Sequence, residues 1–223
     1  RGDLTVEGLL QARGGSISLL GPVTELAGSK IANGGIAADG RASARRILVG
    51  EQATLDASAE VHTGFDIQGQ PFGLVPRGGS IVIGGELLES TSRATASDAF
   101  VVIREGAVID ASGAQAPLNV NGAGVKTVVS DGGRIQIASS SGLYLDGSLR
   151  AHAGGAGAAG GSLVVALEAP NYRNANEVVP DAALLAVRDL TLVQNRPAGA
   201  SDAQGLTHGH AALAVNQVQD GGF

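Results

Sequence analysis

Two short motifs recur along the chain in a fixed order, and their spacing limits the fold more than any other feature. The first, Gly-Gly-[Ser/Arg]-[Ile/Leu], occurs at Gly14-Gly15-Ser16-Ile17, Gly78-Gly79-Ser80-Ile81, Gly132-Gly133-Arg134-Ile135 and Gly160-Gly161-Ser162-Leu163. The second, [Leu/Ile]-Asp-[Ala/Gly]-Ser, occurs at Leu55-Asp56-Ala57-Ser58, Ile109-Asp110-Ala111-Ser112 and Leu145-Asp146-Gly147-Ser148. Gly78 to Gly132 is 54 residues, and so is Asp56 to Asp110. Asp56 to Gly78 and Asp110 to Gly132 are both 22, whereas Asp146 to Gly160 is 14. Motifs that keep both order and separation mark a structural repeat. The compressed third copy implies a turn that tolerates insertion and deletion.

Between the motifs lie strand-length segments. Ile81-Val82-Ile83, Phe100-Val101-Val102-Ile103, Ile135-Gln136-Ile137 and Leu143-Tyr144-Leu145 are rich in β-branched or aromatic residues. Gly, Asn, Asp and Ser near their ends supply turn chemistry. Helical signals are scarce. The best runs from Asp181 to Gln194, and its Leu190-Thr191-Leu192-Val193 reads equally well as strand.

Many short strands without helices leave a sandwich, a barrel or a β-solenoid. The solenoid is favoured because the motif order repeats and small residues dominate, with 35 Gly and 36 Ala among 223 residues. There is no Trp to anchor an immunoglobulin-like core. Coils of roughly 20–25 residues predict about nine to eleven coils with loop insertions, a rod of about 45–55 Å. Residues 1–170 carry the repeats, 171–203 break them as an irregular excursion, and 204–223 return to the coil pattern. No capping helix is read at either end, and Asp220-Gly221-Gly222-Phe223 reads as another Gly-Gly turn entering a strand.

Composition removes several function classes. The net charge is −6 with only two Lys, Lys30 and Lys126, so no basic stripe suits nucleic acid. Cysteine is absent, which excludes disulfides and thiolate metal sites. No apolar run is long enough for a transmembrane helix. Beginning at Arg1 and lacking Met, the chain reads as a fragment of a longer protein.

The Gly-Gly-Ser-Ile strands, the Ile109-Asp110-Ala111-Ser112-Gly113 turn and the run Gly160-Gly161-Ser162-Leu163-Val164-Val165-Ala166-Leu167-Glu168-Ala169-Pro170 resemble the filamentous haemagglutinin-like exoproteins of two-partner secretion. Gln217-Val218-Gln219-Asp220-Gly221-Gly222-Phe223 is similar to the entry to a further coil in such proteins. The resemblance covers most of the chain and no catalytic residue. It implies a right-handed parallel β-helix forming an internal shaft segment of a long fibre. It also implies export by an outer-membrane partner transporter of a Gram-negative bacterium, and a role in adhesion, biofilm formation or delivery of a toxic tip. The partners so implied are neighbouring coils of the same chain, that transporter and a host-cell or matrix receptor. No cofactor and no catalysis are implied.

Individual candidates are weighed against plainer roles. Arg1-Gly2-Asp3 matches an integrin-binding tripeptide, against a Gly turn before a strand. His208-Gly209-His210 would place two imidazoles on one face of a strand, as a weak metal site. Asp56, Asp110 and Asp146 would bind calcium if stacked, but read better as acceptors of backbone N–H groups at the following turn. The pairs Gly78-Gly79, Gly132-Gly133 and Gly160-Gly161 are read as structural turns. The longer stretches Gln68 to Arg77 and Gln115 to Ser130 are where an adhesive contact would lie. Two further readings stand beside the shaft: a carbohydrate-active β-helical enzyme akin to polysaccharide lyases, and a filament that self-associates through open ends.

Overall fold

The computed structural model describes residues 3–21, 44–88, 93–168, 182–195 and 205–223. Strands of three to six residues are too short to persist alone, and here each is held between copies of itself. The chain visits three sheets in rotation. Its first circuit is β1 (Leu4–Val6), β2 (Leu9–Gln11) and β3 (Ser16–Leu19). The second is β4 (Arg46–Val49), β5 (Thr54–Asp56) and β8 (Ser80–Ile83), interrupted by a hairpin of β6 (His62–Phe65) and β7 (Pro71–Leu74). A second hairpin, β9 (Gly85–Leu88) and β10 (Arg93–Ala96), leads to β11 (Phe100–Ile103) and β12 (Val108–Asp110). The hairpin β13 (Gln115–Val120) and β14 (Gly124–Val129) precedes β15 (Arg134–Ser139), and β16 (Gly142–Leu145), β17 (Ser148–Arg150) and β18 (Ser162–Leu167) complete a fourth circuit.

Every pairing between circuits is parallel. The first sheet has the order β1-β4-β11-β16 and continues into two further strands, β20 (His210–Ala214) and β19 (Asp189–Val193). The second sheet is β2-β5-β12-β17 and the third is β3-β8-β15-β18. The chain is therefore all-β with parallel sheets. Register places like on like. Ile81 pairs with Ile17 and Ile135, and Ile135 with Leu163. Leu55 pairs with Leu10 and Ile109, and Ile109 with Leu149. These inward side chains form one continuous core, with Ile81, Ile135, Leu55 and Ile109 fully buried. The outer face of the first sheet buries a smaller cluster of Phe100, Val102 and Tyr144 under Leu206. There the Thr207 N–H donates to the Tyr144 hydroxyl at 2.6 Å, and His208 packs on the Phe100 ring at 4.6 Å.

Among the described residues, the expected nine to eleven coils become four three-strand circuits and a partial fifth. The 54-residue repeat is one circuit, because Ile81 pairs directly with Ile135. A circuit without hairpins takes 28 residues, from Ile135 to Leu163. Hairpins leave a corner and return to it. The Gly79 N–H donates to the Ala57 carbonyl and the Gly133 N–H to the Ala111 carbonyl, both at 2.7 Å, closing each loop at its base. Residues spent outside the core shorten the stack: six strands in the first sheet span about 24 Å between the outermost strands.

The last segments also depart from expectation. Within the stretch read as an excursion, the short helix α1 (Ala182–Leu185) precedes β19, which lies outside β20 at the end of the first sheet. Arg188 ties this stretch to the circuits by donating to the carbonyls of Ser140 and Glu168. After β20 a helix, α2 (Val215–Asp220), stands where a strand of the second sheet would be. It lies against β17, with Val218 on the core and the buried Gln217 amide donating to the Gly147 carbonyl. The Ala151 N–H bonds to Gly221 O as the Ala111 N–H bonds to Arg150 O. Gly221 therefore occupies the Arg150 position, and Gly221-Gly222 is not the turn expected from Gly160-Gly161.

Candidate functional site

The hairpins β6–β7 and β13–β14 leave the same corner, between the second and third sheets, in adjacent circuits. The first is built by a local device. Asp66 Oδ1 accepts the N–H groups of Gln68 at 2.9 Å and Gln70 at 2.7 Å, and Gly69 takes φ +73°. An Asx turn of this kind reverses the chain without help from elsewhere. Gly64 faces Phe72 across the ladder, and its missing side chain leaves room for the Phe72 ring. The second hairpin lies with β13 beside β7, burying Ala116 and Leu118 to 5% and 7% exposure.

Several large apolar side chains of the two hairpins nevertheless stay open to solvent. Ile67 is 98% exposed and Phe65 76%, with Phe72, Leu74, Val120 and Val125 also exposed. Among the described aromatic residues, only Phe65 and Phe72 are exposed, and both lie on one hairpin. The register sets Phe65 and Phe72 on opposite faces of their hairpin, since Phe65 pairs with Pro71 and Phe72 with Gly64, so apolar side chains are presented on both faces. The flagged stretches Gln68 to Arg77 and Gln115 to Ser130 fall on these hairpins, but the apolar residues themselves were not singled out. The available signal was Phe65-Asp66-Ile67-Gln68-Gly69-Gln70-Pro71-Phe72, two of the chain's six aromatics flanking a turn.

The recurrent aspartates separate. Asp56 and Asp110 pair directly across β5 and β12. Like charges directly opposite repel, and each carboxylate is held by local donors. Asp110 Oδ1 accepts the Ser112 N–H at 2.8 Å. Asp56 accepts from the Ser58 N–H and hydroxyl, from the Gln11 amide at 2.8 Å and from Arg13 Nε at 3.1 Å. Burial opposes ionisation of Asp56, but the bonds from Ser58, Gln11 and Arg13 together outweigh it and hold the pKa down to about 2. Asp146 is not the third member. Leu145 pairs with Ile103 in the first sheet and Ser148 with Val108 in the second, so the corner between them has two residues instead of four. On its other side, Asp110 pairs with Arg150.

The Gly-Gly pairs stack corner on corner. A side chain on Gly78 would overlap the Ala111 carbonyl, on Gly79 the Gly15 carbonyl, and on Gly133 the Gly79 carbonyl. Gly132 and Gly160 likewise abut the carbonyls of Ala151 and Gly222, and Gly161 that of Gly133. These residues set the distance between circuits and touch no open surface chemistry.

The remaining candidates stay apart. Gly209 has φ +80° and β20 begins at His210, so the alternation that would place His208 and His210 on one strand face is broken. His208 lies on Phe100, while His210 Nδ1 is 3.9 Å from Asp189 Oδ2. Among the described residues, no group of three or more His, Asp or Glu gathers as metal ligands do. Of Arg1-Gly2-Asp3, the first two lie outside the described residues. Asp3 grips Arg46 through both carboxylate oxygens, at 3.0 Å to the backbone N–H and 2.8 Å to Nη2. Those bonds hold its carboxyl below the usual carboxylate range. No family model, curated protein or solved structure matches the chain.

Proposed function

We propose that the chain is a right-handed parallel β-helix serving as a shaft segment of a large secreted, surface-associated fibrous adhesin of the filamentous haemagglutinin-like kind. The observation that carries this reading is the rotation of one chain through three parallel sheets in strict register. Such a stack gains rigidity from backbone ladders and a shared core, and each circuit needs only its neighbours. Parallel crossovers of this type are almost always right-handed. The role is structural, and the paired hairpins are the contact surface of the shaft, facing a host-cell or matrix receptor in attachment or biofilm. The resemblance supports a position outside a Gram-negative cell after export by an outer-membrane partner transporter, between further coils of the same chain.

Electron microscopy of producing cells with gold-tagged antibody to this segment tests the reading. Label along thin surface fibres is expected. Label confined to compact, released particles would overturn it.

A further inference from the structure

We propose that Asn121 is a site of spontaneous deamidation, through which the tip of the β13–β14 hairpin turns from neutral to anionic. This goes beyond the shaft reading and does not depend on it. In the first step the backbone nitrogen of Gly122 attacks the side-chain carbonyl carbon of Asn121. The side-chain nitrogen leaves as ammonia and a five-membered succinimide forms. Water then opens either ring carbonyl, leaving aspartate or isoaspartate. The step needs a following residue without a Cβ to crowd the attack, an amide nitrogen not held elsewhere, and room for the ring.

The fold grants these conditions selectively. Gly122 follows Asn121 at an exposed tip, with φ +76° and open space where a side chain would be. The turn is closed by the Ala123 N–H donating to the Val120 carbonyl at 2.9 Å, and among the described residues nothing accepts the Gly122 N–H. The described Asp-Gly steps, which can close the same five-membered ring, are held shut. The Gly132 nitrogen donates to Ala159 O at 3.0 Å, that of Gly147 to Ile103 O at 3.2 Å and that of Gly221 to Gln217 O at 3.1 Å. Gly132 and Gly147 are also packed against carbonyls of neighbouring circuits. Asn119, in the same hairpin, is followed by the β-branched Val120, and Asn216 lies in α2 before Gln217.

The product places a carboxylate between the exposed Val120 and Val125 and adds one negative charge to a chain already at −6. The isoaspartate form also inserts a methylene into the backbone of the turn. The hairpin thus acquires a charge that depends on the age of the molecule.

The test is to incubate the folded chain at mildly alkaline pH and follow the tryptic peptide from Glu105 to Lys126 by mass spectrometry, with a urea-unfolded sample beside it. Expected is a gain of about 1 Da at Asn121, as paired aspartate and isoaspartate products, with Asn119 unchanged. The rate should rise with hydroxide and stay within about tenfold of the unfolded chain, since no local opening is required. A folded rate slower than that margin would overturn the proposal. So would an equal mass gain in that peptide from the Asn121→Gln variant, whose larger ring closes far more slowly.

Discussion

Truncating Ile135 to Ala tests whether the stacked core holds this molecule. Ile135 is fully buried and pairs on one side with Ile81 and on the other with Leu163. The substitution removes three carbons, about 2.4 kcal/mol at ~0.8 kcal/mol per buried methylene. Both neighbouring strands are pinned by their own ladders, so the cavity cannot collapse, and the total is expected at about 3–4 kcal/mol. Ile17 occupies the same column in the edge strand β3, 8% exposed and paired on one side only, with Ile81. Its truncation should cost about 2 kcal/mol. The Ile81→Ala/Ile135→Ala double variant should deviate from additivity by about 0.5–3 kcal/mol, because the two side chains share one column. Urea unfolding followed by circular dichroism reads all of these, with an unchanged m-value as the check on two-state behaviour. Ile135→Val, expected to cost about 0.5–1.5 kcal/mol, provides a milder step if the Ala variant does not fold. Equal losses at Ile17 and Ile135, or a loss below about 1 kcal/mol at Ile135, would refute the reasoning.

Three other outcomes are expected. Gly133→Ala should destabilise by about 1–3 kcal/mol, because its new methyl meets the Gly79 carbonyl, whereas Gly8→Ala, with nothing within 4 Å, should change stability by less than about 0.5 kcal/mol in the same unfolding assay. The folded pKa of Asp56, about 2, lies below the ordinary 3.8, so ionisation favours the folded chain. That contribution is complete above about pH 4 and lost as pH falls toward 2, and Asp56→Asn should flatten the acid limb of stability in that window. Replacing Phe65, Ile67 and Phe72 by Ser should leave the unfolding midpoint nearly unchanged while lowering binding of an apolar surface dye and attachment to host cells. A fall in stability instead would mean that these side chains support the fold.

The local chemistry of this protein was legible in its residues. Ile81, Phe100 to Ile103, Ile135 and Leu143 to Leu145 read as strands because β-branched and aromatic side chains suit a pleated surface. The equal 54-residue separations identified Asp56 with Asp110 and Gly78 with Gly132, and both pairs of motifs stand in register. Linear spacing could not say how many residues leave the stack between one visit and the next. Hairpin residues and circuit residues share turn and strand chemistry, so a 54-residue circuit with its hairpins looked like two coils or more. The same ambiguity made Asp146 look like a third copy, when a corner shortened by two residues had placed it between sheets. Only the tertiary structure decided these points, along with the helix over β17 and the exposed apolar residues on the paired hairpins. Which strand lies beside which is chosen by burial and backbone pairing summed over distant segments, and such sums leave no mark in local sequence.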